Sequence, residues 1–99
     1  MKHLLNQLDK TLDSRVRLAL MAMLAAAEWV DFTTFKEELD LSDGNLASHL
    51  RKLEDEAYVE LRKGFVGRKT LTSYRATKKG RDAFEHHITI LEQMLRPGS

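Results

Sequence analysis

Four leucines open the pattern. Leu4, Leu5, Leu8 and Leu12 recur at i, i+1, i+4 and i+8, one apolar stripe at the helical period, and predict a first helix over about 3–12. Past Arg17, "LALMAMLAAA" is apolar on nearly every side and rich in strong helix formers. A helix without a polar face is expected to be central, and Asp13 or Ser14 is placed to cap it. "WVDFTTF" breaks the period: Trp29, Val30 and Phe32 suit a short extended piece. Thr33 or Thr34 is then expected as the next N-cap, with Glu37 at capping-box spacing from Thr34. The short helix "TFKEEL" turns Phe35 and Leu39 inward, and "DLSD" reads as a turn with Leu41 beneath it. Ser42 caps the helix that follows, and Asp43 suits the positive end of its dipole. There Leu46, Leu50, Leu53 and Ala57 fall at i, i+4, i+7 and i+11, a buried face. Asn45, Ser48, His49 and Lys52 form a polar face rotated from it by roughly 110°, at about 100° per residue.

The period then drops to two. "YVELRK" and "TLTSYRA" alternate as strands, joined through "GFVGRK", where glycines 64 and 67 permit the reversal. Phe65 and Val66 are unusual at a solvated loop tip and are expected to pack back on the domain or onto a partner. Thr77 caps a last helix over about 78–95, in which Phe84, Ile88, Leu91 and Leu95 make a near-heptad seam. Pro97 and Gly98 are expected to end it. Two helices joined by a short turn, with a hairpin directly after them, describe a winged helix-turn-helix. The expected fold is α+β, mostly α: one domain over 1–99, the helix-turn-helix at about 33–56, the wing at about 58–76, and a flanking helix at each end.

Charge sharpens this picture. The net charge is only +1, yet residues 51–81 carry ten bases and four acids, and residues 62–81 carry eight bases and no acid. A local field of that kind governs partners more than the total does. Ninety-nine residues can build one small core, so help from a second subunit is plausible on size alone. The chain has no cysteine, which removes disulfides and thiolate metal sites and fits a cytoplasmic setting. No signal peptide is expected, and the ten-residue apolar run is too short to span a bilayer, so no membrane partner is expected.

"RLALMAML", "FTTFKEELDLSDGNLASHLRKLEDEAYVE" and "TSYRATKKGRDAF" together resemble the small winged-helix transcriptional regulators of the MarR/ArsR type, over roughly residues 15 to 85. The central stretch, with its basic hairpin, is the specific part. The chain departs from that family at Ala57, where the family usually has the glycine suited to a left-handed helix end. The resemblance implies that the helix from Ser42 enters a DNA major groove. The residues themselves argue the same way: Ser42, Gly44, Asn45, Ser48, His49 and Lys52 are small or polar. Asn pairs bidentately with adenine, and Lys52 suits guanine or a phosphate. Arg62, Lys63, Arg68 and Lys69 put a basic wing on the backbone or the minor groove. Lys78, Lys79 and Arg81 stand at a helix N-terminus, where cations are unfavourable, so either backbone contacts or plain solvation accounts for them. The resemblance also implies a homodimer, with Leu4, Leu5, Leu8, Leu12, Phe84, Ile88, Leu91 and Leu95 at its interface.

Catalysis is not expected. His3, His49, His86 and His87 have no metal spacing, and no phosphate loop, nucleophile triad or carboxylate pair is present. No cofactor is expected, and nothing marks an effector pocket. The competing reading is a winged-helix module that binds protein through its apolar stripes and does not bind DNA. The two differ over residues 45–52 and 62–69.

Overall fold

A computed structural model describes residues 1–96; the expected helix stop at Pro97 and Gly98 lies outside them. The elements are α1 (Lys2–Gln7), α2 (Arg15–Ala26), β1 (Val30–Asp31), α3 (Phe32–Leu39), α4 (Asp43–Asp55), β2 (Val59–Val66), β3 (Lys69–Ala76) and α5 (Lys78–Met94). The strands form one antiparallel sheet in the order β1-β3-β2. This is the expected α+β, mostly helical winged helix, with α3 and α4 as the helix-turn-helix and the β2–β3 hairpin as the wing.

Caps explain most of the boundaries. Ser14, Ser42 and Thr77 each accept a hydrogen bond from the backbone N–H three residues on, at Arg17, Asn45 and Gly80. For α3 the cap is neither threonine. Asp31 accepts from the Thr34 N–H at 3.3 Å and from the Thr34 hydroxyl at 2.5 Å, so the helix starts at Phe32. The carboxylate outcompetes the hydroxyls because it is the stronger acceptor at a helix's positive end.

The first helix is shorter than its leucines imply. It stops at Gln7, and Leu8 is extended. Asp9 takes over the chain at that point. Its Oδ1 accepts from the N–H of Thr11 at 2.8 Å and of Leu12 at 3.3 Å, its own N–H donates to His87 Nδ1 at 3.1 Å, and Tyr58 donates its hydroxyl to Oδ2. An Asx turn replaces another turn of helix, and Leu12 drops into the core from a loop.

That core joins Leu12, Leu20, Met21 and Leu24 to Phe35, Leu46, Leu50 and Leu53 and to Val30, Tyr58, Val59, Tyr74 and Ala76 of the sheet side. α2 is less central than its composition suggests, since Ala22, Ala25 and Ala26 are exposed. α4 ends in a Schellman arrangement: the Ala57 N–H donates to Glu54 and the Tyr58 N–H to Leu53, at 2.8 and 2.9 Å, and Ala57 has φ 60°. The left-handed residue therefore stands where the family's glycine would, occupied by alanine.

The hairpin reverses over two residues, Gly67 and Arg68, with Val66 paired to Lys69. Gly67 alone has positive φ, 63°, which suits the first position of a type II′ turn. Gly64 takes no part in the reversal; it lies within β2, paired with Leu71. Gly80 has a different purpose. A Cβ there would lie 2.0 Å from the Tyr58 carbonyl oxygen, which also accepts from the Thr77 N–H. Glycine lets the start of α5 lie directly on the start of β2.

Candidate nucleic-acid interface

α4 presents its sequence-predicted side chains unevenly. Ser42, Gly44, Asn45, Ser48 and Lys52 are exposed, and nothing lies within 4 Å of where a Cβ on Gly44 would stand. His49 departs from the expectation. At about 100° per residue it falls only roughly 65° from the leucine stripe, and its ring is half-buried. Arg17, itself buried, holds it, with Nη1 2.8 Å from His49 Nδ1 and Nε donating to the Thr11 carbonyl at 2.5 Å. Arginine can only donate, so Nδ1 accepts and the neutral ring keeps its proton on Nε2. Burial, then the charges of Arg17 and Lys52, hold the His49 pKa below its ordinary value. His49 is therefore first an anchor between α2 and α4.

Arg51 takes the outward place. It falls roughly 130° from the leucines on the same helical count, and it is exposed beside Gly44, Ala47 and Ser48, its neighbours at i−7, i−4 and i−3. Its helical position alone marked it.

The basic stretch divides into two groups. Arg62 does not reach for the tip: its guanidinium stacks 3.9 Å from the centre of the Trp29 ring, and Arg75 lies 4.9 Å from the same ring while pairing with Glu60. Trp29 thus braces the root of the wing through two cations. Lys79 donates to the Glu56 carbonyl at 2.8 Å and lies over the Tyr58 ring. Arg81 donates to the Ala76 carbonyl at 3.0 Å, and Lys78 pairs with Asp82 at 2.7 Å. Backbone carbonyls at the end of α4 and of β3 account for two of the three cations at the start of α5. Lys63, Arg68 and Lys69 remain exposed and form no ion pair among the described residues. Within this basic stretch the free charge is concentrated at the wing tip.

The apolar seam also divides. Leu4 and Leu12 are 5% and 1% exposed and lie inside the chain's own packing, so neither is available to a partner. Phe84 packs against the core from its rim. Leu8, Ile88 and Leu91 are half-buried, while Leu5 is 58% and Leu95 83% exposed. The fully buried face of α5 is instead Gly80, His87 and Ile90. A histidine inside an apolar stripe hid that face from a reading of hydrophobic residues alone.

A groove of about 550 Å³ lies between the end of α2, the sheet and the start of α5. Its bases, Arg75, Lys78 and Arg81, are those already engaged by Glu60, Asp82 and the Ala76 carbonyl. Among the described residues no helix is long and apolar enough to cross a membrane.

Residues 16–95 match the family model described as winged helix DNA-binding domain. An uncharacterized protein of Methanocaldococcus jannaschii is 39% identical over 85 residues, covering 86% of this chain and 92% of its own. The structure of a transcriptional regulator homologue from Pyrococcus horikoshii superposes with a TM-score of 0.85 at 27% identity, over 96% of this chain and 95% of that one. A mutant MarR from E. coli complexed with operator DNA shares the fold, with a TM-score of 0.72 at 20% identity over 94% of this chain and 66% of that one.

Proposed function

The chain belongs to the winged helix DNA-binding domain family, and from that membership we propose that it is a homodimeric, sequence-specific regulator of transcription of the MarR type, acting in the cytoplasm. α4 enters the major groove with Gly44, Asn45, Ser48, Arg51 and Lys52 outward, and the tip of the wing meets the flanking backbone or minor groove. The observation that carries this is the pairing of an open polar helix face with three free cations, Lys63, Arg68 and Lys69, on the adjacent hairpin. Phosphate neutralisation is the largest sequence-independent source of affinity for a duplex, and it needs cations not already spent on the protein. Family and fold point to binding rather than catalysis.

Selection of bound duplexes from a random pool, followed by titration over a range of salt, tests the reading. Affinity is expected to fall steeply with salt. Arg68→Ala with Lys69→Ala lowers affinity for every sequence and flattens the salt slope by about one for each phosphate that the wing no longer neutralises. Asn45→Ala relaxes the preference at one base pair, worth about 1–3 kcal/mol of discrimination. A protein that retains no duplex at low salt is not a DNA-binding regulator, and the interaction-module reading takes its place.

A further inference from the structure

The wing ends in hydrophobic side chains that nothing covers. Phe65 is 79% and Val66 64% exposed, directly before the Gly67–Arg68 reversal. The sequence placed them against the domain or a partner, and the domain leaves both in solvent. Resting on the DNA-binding reading above, we propose that Phe65 is a wedge that enters the minor groove and unstacks a base step.

Three observations carry this. The first is direction. Side chains alternate along a strand, so Phe65 shares a face with Lys63, Leu61 and Val59. Val59 is buried on the core, and α4 packs on β2, so Phe65 projects from the side of the sheet that carries the helix proposed to read the major groove. The second is charge. Lys63, Arg68 and Lys69 surround the apolar pair, and no acid occurs from Leu61 to Arg81. That combination suits a surface lined with phosphate that has an apolar interior, which is a stacked duplex. The third is shape. A two-residue turn makes the tip two strands wide, and strands lie about 4.8 Å apart before side chains are added. The minor groove of undistorted duplex is only about 6 Å wide, so a ribbon tip fits once the groove has opened. Apolar wedges open it by parting a step and kinking the duplex toward the major groove by roughly 20–90°. A contact with a second copy of the chain suits the tip less well. Phe65 and Val66 point to opposite faces of the ribbon, so they form no continuous patch near the roughly 1,000 Å² that a stable protein interface needs.

The specificity follows from the deformation. Pyrimidine–purine steps unstack most easily, so the wedge selects such a step at the wing's position, beyond the bases read by α4.

The test uses the full chain and a duplex recovered from the random-pool selection, with 2-aminopurine placed in turn at each position flanking the recognised sequence. Wild-type protein is expected to raise the fluorescence several-fold at one step in each half-site, the two related by the two-fold axis, and to bend the duplex. Phe65→Ala binds with an unchanged salt slope but loses the fluorescence rise and most of the bend, and Phe65→Trp restores both. Because the side chain is exposed, circular dichroism of Phe65→Ala should match wild type. Tight binding with no fluorescence rise at any position, or a rise that survives Phe65→Ala, overturns the wedge and leaves the DNA-binding reading standing. Self-association or binding to anionic lipid vesicles that is lost in Phe65→Ala, with no unstacking, also overturns it. Failure of the wild type to retain any duplex overturns both.

Discussion

Two single residues show how the backbone limits this fold from opposite sides. Ala57 adopts a φ of 60° to end α4, and the two hydrogen bonds of the Schellman arrangement hold it there. A left-handed L-residue costs roughly 1–2 kcal/mol, part of which glycine recovers at the expense of a freer unfolded chain. Ala57→Gly is therefore expected to stabilise the protein by about 1 kcal/mol, seen as a higher urea midpoint with an unchanged denaturant slope at fixed chain concentration. Gly80 is the converse. Its φ is ordinary, and what forbids a side chain is the Tyr58 carbonyl 2.0 Å from any Cβ. Gly80→Ala must push α5 off β2 and is expected to cost about 1–3 kcal/mol or more by the same measurement. Position 57 drew notice in the sequence as a departure from a family pattern. The need for glycine at 80 was not legible there, because it arises from a residue 22 places away.

At the scale of elements, one buried arginine ties α4 to α2, beside the leucine face that packs α4 on the core. Arg17 spans from the Thr11 carbonyl to His49, and protonating His49 would set its ring against Arg17 and Lys52. The folded pKa lies below the ordinary 6.5, so the unfolded chain binds the proton first as pH falls. The stability from the neutral ring is thus complete above about pH 6.5 and declines as pH drops below it toward the folded value. His49→Gln is expected to remove that part of the acid sensitivity, shown by urea midpoints that change less than wild type between about pH 7 and 5.5. α4 and the wing were legible because their periods, 3.6 and 2, are set by which residues must be buried. What stayed hidden was decided by tertiary partners. Arg62 read as a free charge of the wing until its guanidinium stacked on Trp29. Asp9 read as a helical residue until His87 and Tyr58 fixed it in a turn. His49 read as an outward side chain until Arg17 took its nitrogen.

The whole molecule measures 57 × 25 × 22 Å along its principal axes. Its main core lies among α2, α3, α4 and the sheet, whereas α1 rests on α5 with Leu4 and Ile90 buried outside that core. The same two helices carry the exposed Met1, Leu5 and Leu95 at their ends. In the proposed dimer these residues meet their counterparts across a two-fold axis, and the axis sets two copies of α4 about 34 Å apart, one turn of DNA. Symmetry makes the test severe, since each substitution acts twice. Leu5→Glu with Leu95→Glu removes four leucines from the interface, each worth about 1.5–3 kcal/mol when fully buried. A net loss of only about 4 kcal/mol weakens association roughly a thousandfold. Sedimentation is expected to show wild type as a dimer and the double variant as a folded monomer at micromolar concentration. Binding should separate in the same way: the monomer loses most of its affinity for a palindromic duplex yet keeps the wild-type protomer's affinity for a single half-site, because α4 and the wing are untouched. If the variant still sediments as a dimer, the interface does not lie on this end of the molecule. If the wild type is itself a monomer that binds palindromes no better than half-sites, the regulator reads DNA one domain at a time.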